Sequence, residues 1–322
     1  MEIFSLTLSQ MLMMFTLMAI GFVLRKTSVI PDNAHITISK LETFVFVPAL
    51  TLYTQMTQCT VKTFAENAPL ILYGLVMIAV AIALSYPLSA LYVRKWRESS
   101  ELEYERNVYK YALSFANYGF VGNFIILGIW GSEVFYKYSL FTLSFAPISL
   151  IYGLYLLIPR GKNEGKITNL KKALLSPPLV AMIIGMVLGL CEVQRFIPPF
   201  LSSALENASA CMGPVAMLIT GFVVGGYGLP MLFLNKTGYA VSFVRLIAIP
   251  SIVLLLLKAF GANNELIFIA LISFGTPVGL NSIIFPSAYG GDTKPGASMV
   301  MTSQLISVIT IPLLYYVFTV LI

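Results

Sequence analysis

The sequence predicts an all-α polytopic membrane protein of ten transmembrane helices, built as two inverted five-helix repeats whose broken fourth and ninth helices cross at mid-membrane. Three observations carry that prediction. Of 322 residues, 58% are apolar and 11% charged, against about 45–50% and about 25% in an ordinary soluble domain. Apolar runs of about 20 residues, enough to cross a hydrocarbon core of ~30 Å, recur along the whole chain. The landmarks of the first half also return in the second, in the same order.

The segments are read, in order, at roughly 3–24, 36–57, 68–93, 108–129, 134–158, 173–190, 199–227, 238–260, 265–289 and 297–321. The first does not read as a convincing signal peptide: Glu2 precedes it, no Lys or Arg does, and its apolar run exceeds the about 7–15 residues of a signal h-region. It is expected to remain as a transmembrane helix. The second carries Lys40, Glu42 and Pro48, the seventh Glu206 and Pro214, and the eighth Arg245. The fourth and ninth are interrupted in their middles, by Asn117, Gly119, Gly122 and Asn123 in one and by Gly275-Thr276-Pro277 to Asn281 in the other. The remaining segments are plain apolar runs, and a basic linker at 159–172 separates the first repeat, 1–158, from the second, 173–322.

Repetition is visible without a gap. SFANYGFVGNFIILGIWGSE (114–133) matches SFGTPVGLNSIIFPSAYGGD (273–292) at Ser114/Ser273, Phe115/Phe274, Ile125/Ile284 and Gly131/Gly290. At nearly the same separation MAIGFVL (18–24) resembles MIIGMVL (182–188), each followed by Ile-Pro, then Leu-Glu, then a proline in the next helix. Five helices is an odd number, so the second half enters the membrane from the opposite side, as in the inverted repeats of many secondary transporters.

In such folds the binding site lies at the midplane, between discontinuous helices. Pro277 removes a backbone donor and the glycines relax the backbone, so each interrupted segment is expected to split into two half-helices. A half-helix amino terminus offers unpaired N–H groups and partial positive charge, and asparagine amides add directed donors. That chemistry suits a carboxylate. A single asparagine can instead bond a neighbouring helix; two polar breaks at matching places in a repeat favour a site.

Orientation follows from Lys and Arg, which concentrate in short cytoplasmic loops. With the amino terminus outside, inside loops hold fourteen of the twenty basic residues and outside loops only Lys62, Lys137, Arg195 and Lys258. Both termini are therefore expected outside. The formal net charge of +6 is spread over separate loops and mixed with Glu98, Glu101, Glu103, Glu105 and Glu164, a distribution that serves topology beside anionic lipid rather than nucleic acid. Cys59, Cys191 and Cys211 are an odd count without metal-ligand spacing; a bridge between Cys59 and Cys191, both near the expected outer surface, is the one pairing left open. His35, the lone histidine, reads as a solvated loop residue. Charges inside apolar segments are costly, so Lys40, Glu42 and Glu206 are candidates for proton or ion coupling. Lys40 also lies close enough to the cytoplasmic end to snorkel.

Asn117-Tyr-Gly-Phe-Val-Gly122 with Trp130-Gly131, the Ala210-Cys-Met-Gly-Pro-Val-Ala-Met-Leu218 run ending at Thr220-Gly221, Thr276-Pro-Val-Gly-Leu-Asn281, and Tyr289-Gly-Gly-Asp292 together resemble the auxin efflux carrier family, including its bacterial malate and malonate permease-like members. The resemblance covers essentially the whole chain. It implies a secondary carrier that moves a small organic anion such as malate, malonate or an auxin-like carboxylate by elevator-type alternating access, in the export direction. It further implies a fold like that of sodium/proton antiporters and bile-acid symporters, with scaffold helices 1, 2, 6 and 7 and mobile helices 3–5 and 8–10. The substrate-binding residues it implies are Asn117, Tyr118, Gly119, Gly122, Asn123, Thr276, Pro277, Gly279, Asn281 and Ser282. The chain departs from the family at Asn123-Phe124, where relatives commonly place a proline; the first break then depends on Gly119 and Gly122.

The expected setting is a bacterial plasma membrane. The expected partners are a carboxylate and lipid, without nucleic acid and with a homodimer left open, and no cofactor is expected beyond coupling to H+ or Na+. A sodium- or proton-coupled symporter or antiporter of the same fold is the alternative. An enzyme is not expected: the only aspartates, Asp32 and Asp292, fall in loops, and one histidine supports no metal centre.

Overall fold

The computed structural model describes residues 2–159, 171 and 174–321; the linker at 159–172 lies outside them except for Pro159 and Lys171. Helices are numbered along the chain. In the first half they are α1 (Glu2–Lys26), α2 (Ala34–Leu41), α3 (Val47–Gln58), α4 (Val61–Asn67), α5 (Pro69–Tyr92), α6 (Ser100–Ser114), α7 (Asn123–Phe141) and α8 (Phe145–Leu156). The second half contributes α9 (Pro177–Leu190), α10 (Pro199–Gly225), α11 (Leu229–Phe233), α12 (Lys236–Phe243), α13 (Ile249–Ala259), α14 (Asn264–Gly275), α15 (Asn281–Tyr289) and α16 (Lys294–Tyr316).

No strand occurs among the described residues. One antiparallel bridge, Ala116 to Val278, is the sole β-type pairing among the described residues. Seven stretches are long and apolar enough to cross a membrane: Ser5–Lys26, Ala34–Gln58, Val61–Tyr92, Tyr118–Phe141, Pro199–Gly225, Lys236–Ala259 and Lys294–Thr319. Three shorter apolar helices, α8, α9 and α14, accompany them. Every apolar segment expected from the sequence thus has a helix.

Local chemistry sets the ends. Prolines occupy the first turns of α9, α10 and α16, where the missing N–H has no intrahelical partner to lose. Ser99 and Asn263 accept from the backbone of Leu102 and Leu266 to cap α6 and α14. Gly290, left-handed at φ 70°, closes α15. At the same φ, Gly131 bends α7, so the expected fourth and fifth segments meet without a loop.

Two close helix pairs organise one side of the molecule. A Cβ at Gly21 would strike the Leu218 carbonyl, and one at Gly221 the Met18 carbonyl, so α1 and α10 touch backbone to backbone. Likewise Gly185 and Gly189 lie against Leu52, Gln55 and Cys59, joining α9 to α3. Small residues permit this approach where van der Waals contact, rather than the hydrophobic effect, holds helices together in lipid. The two contacts are equivalent: Gly21 and Gly185 occupy the same place in MAIGFVL and MIIGMVL, and Leu218 and Leu52 each lie four residues after Pro214 and Pro48.

The core surrounds the crossing. Val121, Ile125, Ile126, Phe141, Phe145, Leu271, Ile272, Phe274, Met299 and Val300 are buried there. Between the α1/α3 side and α7 run three glutamine bonds: Gln10 Nε2 donates to the Gly128 carbonyl (3.1 Å), Gln55 Nε2 to Ser139 Oγ (2.7 Å) and Gln58 Nε2 to Ser132 Oγ (3.4 Å).

The cysteines are free, with Cys59 buried and Cys191 and Cys211 exposed, in keeping with the reading against a disulfide framework. One expectation is corrected here. His35 is not a loop residue; it stands in the first turn of α2, half-buried, with Nδ1 on the Asp32 carbonyl (2.8 Å) and its ring 6.3 Å from that of Phe222.

Candidate functional site: the crossing of two interrupted helices

Both interrupted segments split, for different reasons. Thr276 precedes Pro277, whose ring disfavours the α region for its neighbour; Thr276 is accordingly extended (φ −70°, ψ 157°), and α14 stops at Gly275. In the first segment α6 ends at Ser114, Phe115 is extended (φ −118°, ψ 123°), and a wide π turn over Tyr118–Gly122 leads into α7. The break lies at 115–117, before the glycines rather than on them. Gly122 is helical (φ −63°, ψ −47°), and its missing side chain makes room for the Tyr138 hydroxyl.

The first break needs no proline because the second completes it. Asn117 N–H donates to the Pro277 carbonyl at 2.7 Å, beside the Ala116–Val278 bridge, and Val278 N–H donates to Ser303 Oγ at 3.0 Å. Buried backbone groups that leave a helix must find such partners in a bilayer.

A cavity of about 300 Å³ lies against this crossing. Its wall includes Thr43, Val47 and Thr51, then Tyr111 and residues Phe115–Phe120, and Asn123. Ser139, Thr142 and Ser149, Leu179 and Met182, and Gly279–Asn281 also line it. Among the described residues no Asp, Glu, Lys or Arg lines it.

Its polarity comes from neutral donors. Asn281 Nδ2 donates to Tyr111 Oη (3.2 Å), and Tyr118 Oη pairs with Ser149 Oγ (3.3 Å). Asn117 is 4% exposed, and its Nδ2 has no partner among the described residues. The segments beginning at Tyr118 and at Asn281 also start here, bringing first-turn N–H groups and the positive ends of two helix dipoles. Such an arrangement can hold one anionic group without a fixed countercharge.

The expected site residues therefore divide. Asn117, Tyr118, Gly119, Asn123, Gly279 and Asn281 reach the cavity wall; Gly122, Thr276, Pro277 and Ser282 do not. Those four build the crossing instead: Thr276 is fully buried, Pro277 supplies the carbonyl to Asn117, and Ser282 Oγ donates to the Gly279 carbonyl (2.7 Å). Tyr111, Ser139 and Ser149 are wall residues that sequence reasoning missed. Tyr111 sits four residues before the break, and Ser149 is a small hydroxyl in an apolar helix, so neither carries a local signal.

Of the coupling candidates only Glu42 is buried, at 1% exposure; Lys40 and Glu206 are exposed. A larger cleft of about 1050 Å³ opens elsewhere, around Glu101, Glu103, Glu105 and Asp292. Its acidic wall would repel an anion, so the smaller cavity is the better candidate.

Among known proteins, the family profile described as "Membrane transport protein" matches residues 6–315. The uncharacterized transporter YfdV of Escherichia coli is 26% identical over 205 residues, 62% of this chain and 64% of the relative. The uncharacterized transporter MJ1031 of Methanocaldococcus jannaschii is 24% identical over 198 residues, 61% and 63% of the two chains. The matched region thus spans somewhat less than two thirds of these curated relatives. With a profile match over nearly all its length, the chain belongs to this membrane transport protein family, that of the auxin efflux carriers.

Proposed function

We propose that the chain is a secondary carrier for a small organic anion, with the carboxylate seated at the crossing of the two interrupted helices. The observation that carries this reading is the cavity itself. Among the described residues it has no charged side chain, yet it gathers two half-helix amino termini, the amides of Asn117, Asn123 and Asn281, and the hydroxyls of Tyr111 and Tyr118. An anion there gains about 1–2 kcal/mol from the dipoles in a partly buried setting and about 1.5–3 kcal/mol from each charge-assisted hydrogen bond. A cation would be opposed by the two dipole ends, which favour negative charge.

The inverted-repeat architecture belongs to the same proposal. It is supported by the equivalent Gly21–Leu218 and Gly185–Leu52 contacts and by the paired breaks at 115–117 and 276–280. On this reading ten segments cross the membrane, both termini face outward, and helices 1, 2, 6 and 7 are a scaffold. Against it the bundle holding the crossing moves as an elevator, and the three glutamine bonds to α7 are broken and remade. Export is energetically natural: one negative charge moving outward across about −100 mV gains ~2.3 kcal/mol, roughly a fifty-fold gradient at ~1.36 kcal/mol per decade. Malate and malonate are the first substrates to try, in a bacterial plasma membrane. In proteoliposomes, Asn117→Ala is expected to abolish most malate transport while the fold is retained; undiminished transport would overturn the site.

A further inference from the structure

Between α2 and α3 the chain passes through a wide π turn, Glu42–Phe46. Glu42 opens that turn, and neither of its carboxyl oxygens has a hydrogen-bond partner among the described residues; no ion pair joins it there either. The helices packed against this turn are α2, α3, α9 and α10. Their titratable side chains are His35 and Lys40 on α2, Tyr53 on α3, and Glu206 and Cys211 on α10, while α9 has none. None of these bonds to Glu42. His35 is engaged by the Asp32 carbonyl, and Lys40, two positions away, points to another face of its helix and is exposed.

A bare carboxylate stripped of water and partners is the costliest way to bury this side chain, and such groups take up a proton instead. Position gives that proton a use. Thr43, the next residue, lines the crossing cavity and also a second cavity of about 510 Å³ walled by Arg25, His35, Ser39, Lys40 and Tyr227. Its hydroxyl donates to the Ser39 carbonyl (2.8 Å), another wall residue of the second cavity.

We propose that Glu42 is a proton-binding site and that its proton and the transported anion bind together. A hydronium ion from solvent gives its proton to a Glu42 oxygen, leaving water and a neutral carboxylic acid. An ionised Glu42 beside the cavity wall would repel the arriving anion, so each ligand favours the other, reciprocally. Glu42 belongs to helix 2 of the scaffold, so its proton stays in place while the bundle moves, and protonation sets how tightly the anion is held rather than the charge that crosses. The coupling rests on the anion-carrier reading; the proton site does not.

The test has two arms. In infrared spectra of the purified carrier at neutral pH, the C=O stretch of a protonated carboxylic acid should be present and should vanish in Glu42→Gln. Its absence from the wild type, or persistence in the variant, overturns the proton site whether or not malate is a substrate. In proteoliposomes loaded with radiolabelled malate, wild-type flux should fall as pH rises. Glu42→Gln should lose that dependence, and Glu42→Asp should keep it with a displaced midpoint. A wild-type profile already flat, or a Gln variant following the wild-type curve, overturns the coupling. If Gln and Asp are both inactive while the infrared band behaves as expected, Glu42 holds a proton for structural reasons and the coupling falls.

Discussion

Asn117 offers the sharpest lever on the crossing, because its side chain can be changed while its backbone contact stays. Asn117 N–H holds the Pro277 carbonyl at 2.7 Å, and alanine or aspartate retains that donor. The Asn117→Ala change removes the carboxamide, and with it Nδ2, a buried donor without a partner among the described residues. If that donor serves a carboxylate, the loss is one charge-assisted hydrogen bond of about 1.5–3 kcal/mol. At ~1.36 kcal/mol per decade that is roughly a 10- to 150-fold weaker affinity. Asn117→Asp keeps the shape and adds a like charge: at ~4 Å and an effective dielectric of ~20, the repulsion is about 4 kcal/mol. Malate counterflow in proteoliposomes should therefore rank wild type, then Ala, then Asp, with thermal unfolding of the purified variants as the control for folding. An Asp variant equal to or better than Ala would refute an anion at this position. Unchanged KM with lowered thermal stability would mean that Asn117 merely joins helices.

Other consequences follow from neighbouring geometry. Tyr111→Phe takes away the acceptor of Asn281 Nδ2; loss of a neutral bond of about 0.5–1.5 kcal/mol should raise the KM for malate roughly 2- to 10-fold. Gly221→Val would drive a side chain into the Met18 carbonyl, and overpacking of about 1–3 kcal/mol or more should lower the unfolding temperature in a thermal scan. For orientation, a membrane-impermeant maleimide applied from outside should label the exposed Cys191 and spare the buried Cys59. Labelling of a cysteine placed at Lys166 from that side, with Cys191 protected, would reverse the topology.

Much of the architecture was legible because lipid imposes simple rules on a chain. A span needs about 20 apolar residues, and every expected segment coincides with an apolar helix. The MAIGFVL and MIIGMVL runs read as a repeat, and their glycines make equivalent close contacts. Pro277 announced its own break, since proline acts on its own turn and on the residue before it. The first break was harder to place. Gly119 and Gly122 drew attention to the right stretch, but the chain leaves the helix earlier, where a carbonyl more than a hundred residues away accepts from Asn117. Long-range completion of this kind leaves no local trace. Tyr111 and Ser149 escaped for the same reason, as did the burial that separates Glu42 from Lys40 and Glu206.

The central claim is that a carboxylate is held at the crossing, and thermal stability of the purified carrier under ligand titration tests it most directly. Ligands should include malate, malonate and an aryl carboxylate, together with amides and amines of matching size. A ligand present at about a hundred times its Kd adds about 2.7 kcal/mol to the folded state. At least one carboxylate should stabilise the wild type while its amide and amine counterparts do not, and Asn117→Asp should lose the response. Equal stabilisation by amines, or a carboxylate response that survives Asn117→Asp, would contradict the account.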